Sequence, residues 1–351
     1  TDEPDKYPLG AKWAPGVDIE HRDELERVQK ELRDYPGVTV IIYDQTCAAE
    51  KRRRRKRGRF PDPDRRIFIN DAVCEACGDC SLASNCVSVV PVKTELGVKR
   101  AIDQSSCNKD FSCVNGFCPS FVSVSGAKVR KQGSDPKPLD APDGEQLPEP
   151  NVPTIDDPYG IVITGVGGTG VVTIGALLGM AAPIEGLGVS ILDMAGLAQK
   201  GGAVISHLRL AKTPEELHAV RISAGGAKLL LGCDLVVSSS FDALSKVRRG
   251  QTAVVINSHE SVTGEFTRSS PTYKFPAQGL REVITDASGD ANTDFVAATD
   301  IATHLLGDSI AANLFMLGYA WQKGLVPVSG AALNQAIELN GVAVAFNKQA
   351  F

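Results

Sequence analysis

Seven of the nine cysteines fall between Cys74 and Cys118, leaving only Cys47 and Cys233 outside that stretch. No other feature narrows the possible folds as much. A disulfide scaffold belongs to small secreted chains, whereas this one runs to 351 residues. Its first 20 residues are acidic and lack the apolar core of a secretory leader, and Thr1 reads as the start of a processed chain or fragment. Thiolate ligation of a metal in a reducing cytoplasm is therefore the expected use of the cluster. No apolar run approaches the roughly 18 residues of a membrane span, so no membrane partner is expected.

The spacing refines that expectation. Cys74, Cys77 and Cys80 are separated by two residues each, as in the first part of a bacterial ferredoxin motif. Three thiolates must converge on three corners of one cubane, and a tight loop achieves this with two-residue gaps. Gly78 adds backbone freedom and lets amides approach the sulfides. In two-cluster ferredoxins the fourth ligand comes from a distant Cys-Pro, a role that Cys118-Pro119 fits. Cys86 is the local competitor at a longer gap. Cys86, Cys107 and Cys113 are read as ligands of a second cluster or as alternates, with Cys47 or a non-cysteine group completing the set. One or two 4Fe-4S clusters are expected. The alternative is zinc, whose sites usually use two separated cysteine pairs.

Around this segment the chain changes character several times. Residues 22–34 read as a helix, with Leu25, Val28 and Leu32 on one stripe. Residues 38–43 form a continuous β-branched and aromatic run, read as a buried strand. This pair cannot bury its own faces and looks like the tail of a larger α/β domain. Residues 51–57 are seven consecutive Lys and Arg, read as a solvated arm or one paired with an acidic partner. No interleaved aromatics or recognition fold accompany it, so nucleic-acid binding is not expected. Residues 131–157 hold six prolines and seven acids and read as an extended linker.

From Tyr159 strands and helices alternate, which implies a mainly parallel sheet with helices on its faces. Strands are expected at 161–164, 189–193, 204–210, 229–237 and 252–257, and helices at 309–323 and 330–339, the last closed by Asn340-Gly341. The first strand feeds Gly165-Val166-Gly167-Gly168-Thr169-Gly170 and then a helix, the context of a dinucleotide fingerprint. Asp193, however, lies 28 residues beyond Gly165, where about 20 is usual. Two readings stay open: a phosphate cradle built from Gly165, Gly167, Gly168 and Gly170, or a turn that packs strand on helix. The same pair of readings applies to Lys200, Gly201 and Gly202, in a loop between two strands. His207, His218, His259 and His304 show no metal or nucleophile spacing and are read as structural. No catalytic residue stands out.

Three passages together carry a family resemblance: residues 69–80; residues 106–113 with 116–121; and residues 193–202 (Asp-Met-Ala-Gly-Leu-Ala-Gln-Lys-Gly-Gly). They resemble the large fused indolepyruvate ferredoxin oxidoreductases of the 2-oxoacid:ferredoxin oxidoreductase superfamily, and residues 163–173 and 306–327 fit the same pattern. The resemblance implies an α/β chain in four parts. Residues 1–58 are the tail of a thiamine-diphosphate-binding domain with the basic arm, and 59–130 a ferredoxin-like iron–sulfur domain. Residues 131–157 are the linker, and 158–351 a Rossmann-like, parallel-sheet gamma domain. It implies oxidative decarboxylation of an aryl 2-oxoacid, indolepyruvate first, with coenzyme A as acyl acceptor and ferredoxin as electron acceptor. Thiamine diphosphate and magnesium would bind mainly outside this chain, because the diphosphate-binding core and the pyrimidine domain are not in it. The chain is then expected to act only beside those domains, in a homodimer of the complete enzyme. Two other readings compete: a ferredoxin-fused flavin or NAD(P) reductase, and a nucleic-acid-binding module with a zinc site.

Overall fold

Leu25, Val28 and Leu32 turn inward on helix α1 (Leu25–Arg33), each half-buried, as their spacing requires. Arg27, on the opposite side, reaches Glu20 at 2.8 Å, Glu24 at 2.8 Å and Glu31 at 2.9 Å. The computed structural model describes residues 1–126, 147–196, 202–261 and 275–351. The chain divides into two compact units, Thr1–Pro63 with Asn108–Asp110, and Asp64–Cys107 with Phe111–Phe351.

One expectation in the first unit is corrected. Residues 38–43 form no strand, and Val38, Val40 and Ile42 are 96%, 74% and 81% exposed. A strand needs neighbours for its N–H and C=O groups, and among the described residues none pairs with this segment. Leaving those side chains in water forgoes about 1.5–3 kcal/mol each. Lys51 to Lys56 of the basic run lie in helix α2 (Ala48–Lys56). Lys and Arg are good helix formers. Glu50 in the first turn and basic residues in the last also suit the helix dipole.

The second unit opens with β1 (Arg65–Ile69), α3 (Asp79–Ser84), β2 (Val89–Thr94), β3 (Gly97–Ile102) and β4 (Phe121–Ser125). Strands β2 and β3 form an antiparallel hairpin. β1 pairs antiparallel with β4, from Arg65 opposite Ser125 to Ile69 opposite Phe121.

A six-stranded sheet follows, in the order β10-β9-β8-β5-β7-β6. Its strands are β5 (Tyr159–Val166), β6 (Gly188–Ala195), β7 (Ala203–Ala211), β8 (Leu229–Gly232), β9 (Ala253–Asn257) and β10 (Thr293–Val296). Helix α4 (Val171–Ile184) carries the chain from β5 to β6. The short α5 (Leu235–Ser238) and α6 (Phe241–Leu244) follow β8. Then come α7 (Ala277–Ser288), α8 (Ala298–Leu306), α9 (Ala312–Gln322), α10 (Gly330–Asn340) and α11 (Val344–Ala350).

β10, β9, β8 and β5 pair parallel in succession. β7 is antiparallel to both β5 and β6, so β6 again runs with β5 and α4 is a parallel crossover. The sheet is thus parallel-dominated, with β7 inserted in the reverse sense. The central strands are covered on both sides, which is why they read as unbroken apolar runs. Side chains alternate between two cores. Ile161, Ile163, Leu229, Leu231 and Val255 face α4, α9 and α10, while Val162, Leu230, Val254 and Ile256 pack with Leu235 and Ile284. The strand expected over 229–237 stops at Gly232. Asp234 there accepts hydrogen bonds from the Val236 and Val237 amides and starts α5 instead. No described helix is long and apolar enough to cross a membrane.

Candidate functional site

The cysteine segment is shaped by left-handed backbone. Ala76 and Gly78 have φ of 59° and 86°, which bends the loop between Cys74 and Cys80 tightly. Cys74 is buried, its amide donates to the Asn70 carbonyl at 2.9 Å, and its sulfur accepts from the Ala76 amide at 3.4 Å. Cys80 sits in the first turn of α3, capped by Gly78. Burial raises its pKa, opposed by Ser81 and by the charge of Arg100. α3 packs against the turn Ser112–Val114, which carries Cys113. Cys77 and Cys118 are exposed, whereas Cys86 and Cys107 are half-buried.

The β1–β4 ladder brings distant cysteines toward one another. Beyond the Ile69–Phe121 pair, the Asn70 amide donates to the Ser120 carbonyl at 2.7 Å. The two segments therefore leave the ladder side by side, one into Cys74 and the other out of Cys118. The Ser120 hydroxyl lies 3.1 Å from the Cys118 sulfur. None of the nine cysteines forms a disulfide. Among the described residues no three His, Cys, Asp or Glu side chains converge to hold one metal ion. A cubane is larger than an ion and holds its thiolates further apart. An all-thiol donor set, backbone N–H aimed at sulfur and a loop turned by positive φ fit such a group.

A second set of polar groups lies at the carboxyl ends of the sheet strands. From β5 the chain moves to one side, through α4 and β6, and then to the other, to β8. In open α/β sheets, ligand crevices form at such a switch point. The glycine loop leaves β5 here, with Gly168 and Gly170 at φ of 87° and 104°. A Cβ on Gly165 would come 2.5 Å from Val171 Cγ2, so that glycine serves close packing of strand on helix. Asn313 on α9 holds the loop by donating to the Thr169 carbonyl at 3.1 Å. The Gly167 amide donates to the Gly202 carbonyl at 2.7 Å, so the structure brings these two candidate segments together. Lys200 and Gly201 lie outside the described residues.

Three features here escaped the sequence reading. Asp234 is 3% exposed. Its Oδ1 caps α5, while Oδ2 has no hydrogen-bond partner among the described residues and lies 3.7 Å from where a Gly165 Cβ would stand. Burial raises its pKa, with the Val237 and Val236 amides opposing. Asn257, the last residue of β9, donates to the Cys233 carbonyl at 3.1 Å and to Thr299 Oγ1 at 2.7 Å. Its own Oδ1 accepts from the His259 amide at 3.3 Å. His259 Nδ1 then meets Asp300 Oδ1 at 3.1 Å, which orients the ring. For Asn257 the available signal was position, since it ends an apolar strand. His207, by contrast, is structural: it is buried, and Nδ1 accepts from the Ile222 amide at 3.4 Å. Burial and then Lys246 and Arg221 lower its pKa.

The family profile described as pyruvate ferredoxin/flavodoxin oxidoreductase matches residues 160–351, more than half of the chain. The chain belongs to this family. Among curated relatives, the indolepyruvate oxidoreductase subunit IorB of Pyrococcus horikoshii is 27% identical over 197 residues, 55% of this chain and 92% of that protein. IorB of Archaeoglobus fulgidus is 27% identical over 178 residues, 50% of this chain and 83% of that protein. Among solved structures, the pyruvate oxidoreductase subunit PORC of Thermotoga maritima covers 55% of this chain and 93% of its own, at 20% identity and a TM-score of 0.39. The sheet region is the part that carries the 2-oxoacid:ferredoxin oxidoreductase assignment, and the family's relatives are oxidoreductase subunits.

Proposed function

We propose that the chain is the electron-relay and gamma portion of an enzyme that oxidatively decarboxylates an aryl 2-oxoacid. The net reaction is 2-oxoacid anion plus coenzyme A thiol giving acyl-CoA, carbon dioxide and one proton. The two electrons released pass singly to two oxidised ferredoxins. The observation that carries this reading is the joining, in one family member, of the sheet region with a ferredoxin-type cysteine segment. The name of the IorB relatives supports indolepyruvate as the substrate class.

In this reading Cys74, Cys77, Cys80 and Cys118 hold one 4Fe-4S cluster, and Cys86, Cys107 and Cys113 serve a second or act as alternates. Bound there, a cluster supplies one-electron storage. The chain's own groups set its surroundings: the Ala76 amide points at the Cys74 sulfur, and Arg100 places positive charge near Cys80. The four-part division (1–58, 59–130, 131–157 and 158–351) belongs to the same proposal, with thiamine diphosphate and magnesium held mainly by domains outside this chain. The glycine loop and Gly202 then line a polar crevice rather than a dinucleotide site. The test is reconstitution. This chain with thiamine diphosphate, magnesium, coenzyme A and indolepyruvate should reduce no viologen dye, whereas the complemented enzyme should. Turnover by the chain in isolation would contradict the proposal.

A further inference from the structure

Cys74 is held through its amide, its sulfur and its carbonyl. The amide donates to the Asn70 carbonyl at 2.9 Å, the sulfur accepts from the Ala76 amide at 3.4 Å, and the carbonyl accepts from Lys99 Nζ at 2.7 Å. The first two bonds are local and neutral. The third comes from 25 residues away, on β3, and brings a charge. Lys99 reaches this carbonyl from a hairpin whose turn end faces water. Val92, Leu96 and Val98 are 39%, 63% and 53% exposed, and Lys93, opposite Val98, is exposed as well. A lysine on such a ladder ordinarily keeps its ammonium in solvent. Lys99 is instead half-buried, and it gives up rotamer freedom to lie on Cys74.

Satisfying one carbonyl does not call for a charge, since a neutral amide side chain also donates. What a lysine adds is a fixed positive charge on the residue whose sulfur is a candidate ligand. The acids of the same loop, Asp71, Glu75 and Asp79, are exposed, where solvent and salt screen them. The cation is thus placed inward and the anions outward. Burial raises the pKa of Cys80, and the charge of Arg100, the next residue on β3, opposes it. Positive potential from this strand therefore reaches a second candidate ligand. The same electrostatics governs a bound cluster, because reduction adds one electron and hence one negative charge, which a nearby, poorly screened cation stabilises.

We propose that Lys99 is a positioning residue for the iron–sulfur cluster, clamping the ligand loop through the Cys74 carbonyl and raising the cluster's reduction potential by its charge. This rests on the proposed function for the cluster itself and for the reductant, the oxoacid under oxidation. Electrons enter one at a time, and no bond to the protein is made or broken. A higher potential makes the cluster a better acceptor, so Lys99 favours entry of electrons into the relay over their return.

The test is a redox titration of the cluster-loaded full chain, followed by electron paramagnetic resonance, in wild type, Lys99→Gln, Lys99→Met and Lys99→Arg. Lys99→Gln keeps a donor and loses the charge, so its midpoint potential should fall while its iron is retained as in wild type. Lys99→Met loses both, so its potential should also fall and a chelator should strip its iron about tenfold or more faster. Lys99→Arg keeps donor and charge and should titrate close to wild type. The fall in Lys99→Gln should persist at high salt, because a charge withdrawn from solvent is screened less. Lys93→Gln, at an exposed position of β2, should leave the potential nearly where it was. A Lys99→Gln chain with the wild-type potential would overturn the proposal. So would an equal fall in Lys93→Gln, since net charge rather than placement would then be the cause. These outcomes are read on a chain that holds its cluster. A wild-type chain that assembles no iron and sulfide would instead remove the proposed function, and this inference with it.

Discussion

The sheet region and the cysteine region are built on opposite principles. In the sheet, β8 is buried along its whole length and β5 along all but its ends, and two apolar cores cover the two faces. Between Asp64 and residue 126, the described apolar side chains that reach full burial are Ile67, Cys74 and Val89. The rest is two two-stranded ladders, marginal by themselves in water. Ser81, Ser88, Arg100 and Ser120 are also buried there, which adds desolvation cost rather than apolar stabilisation. The difference teaches where stability resides. The sheet folds on its own side chains, whereas so small a region with so little core is one that the proposed ligation would stabilise.

The largest expected effect breaks that contrast at its weaker side. Cys77→Ser, or removal of iron by a chelator, should unfold residues 64–126 locally and leave the sheet protected. Hydrogen exchange with fragment resolution checks this. Equal protection of the cysteine segment with and without iron would show that its core suffices. On the other side, Leu231→Ala opens a cavity where the side chain is fully buried, at an expected cost of about 2–5 kcal/mol. Urea titration of the sheet should register it with the iron content unchanged.

Smaller effects sharpen the switch-point site. Gly165→Ala drives a methyl to 2.5 Å from Val171 Cγ2, with Cys233 Cβ at 3.0 Å. Overpacking of this kind costs about 1–3 kcal/mol. Gly168→Ala meets the φ penalty instead and should cost about 1 kcal/mol. If either glycine serves a dinucleotide, NAD or FAD will bind the wild-type chain with micromolar affinity; we expect no such binding.

Asp234 gives the smallest shift and a clear sign. Its pKa is raised by burial, so the native state favours the neutral carboxyl. That contribution is fully present below the ordinary carboxylate value of about 4 and is lost as pH rises through the higher folded value. Asp234→Asn keeps an Oδ1 cap and cannot ionise. Its stability relative to wild type should therefore rise between pH 4 and 8. A constant difference across that range would mean Asp234 does not titrate there.

Much of this contrast is legible in the sequence, and for physical reasons. Strands β5 and β9 and helix α10 announce themselves through unbroken apolar runs, Ser329 at the N-cap and Gly341 at the left-handed C-cap. The cysteine spacing carries the expectation of thiolate ligation, whereas the left-handed Ala76 that bends its loop is invisible in residue type. The failures share a cause, since each depends on what lies next to the segment. Residues 38–43 have strand composition without a partner. The apolar run from Leu229 passes through Gly232 without a break, and only the cap formed by Asp234 ends the strand. The reversed β7 has the same local pattern as a parallel strand. The His259–Asp300 pair joins residues 41 positions apart, beyond any local spacing rule.

The central claim is that the cysteine segment is an iron–sulfur relay. Iron and acid-labile sulfide content, measured with the electron paramagnetic resonance spectrum of the reduced chain, tests it most directly. The account predicts about four irons and four sulfides per cluster, a reduced 4Fe-4S signal, and loss of that signal in Cys77→Ser. Stoichiometric zinc without labile sulfide, or a cluster signal unchanged in Cys77→Ser, would contradict it.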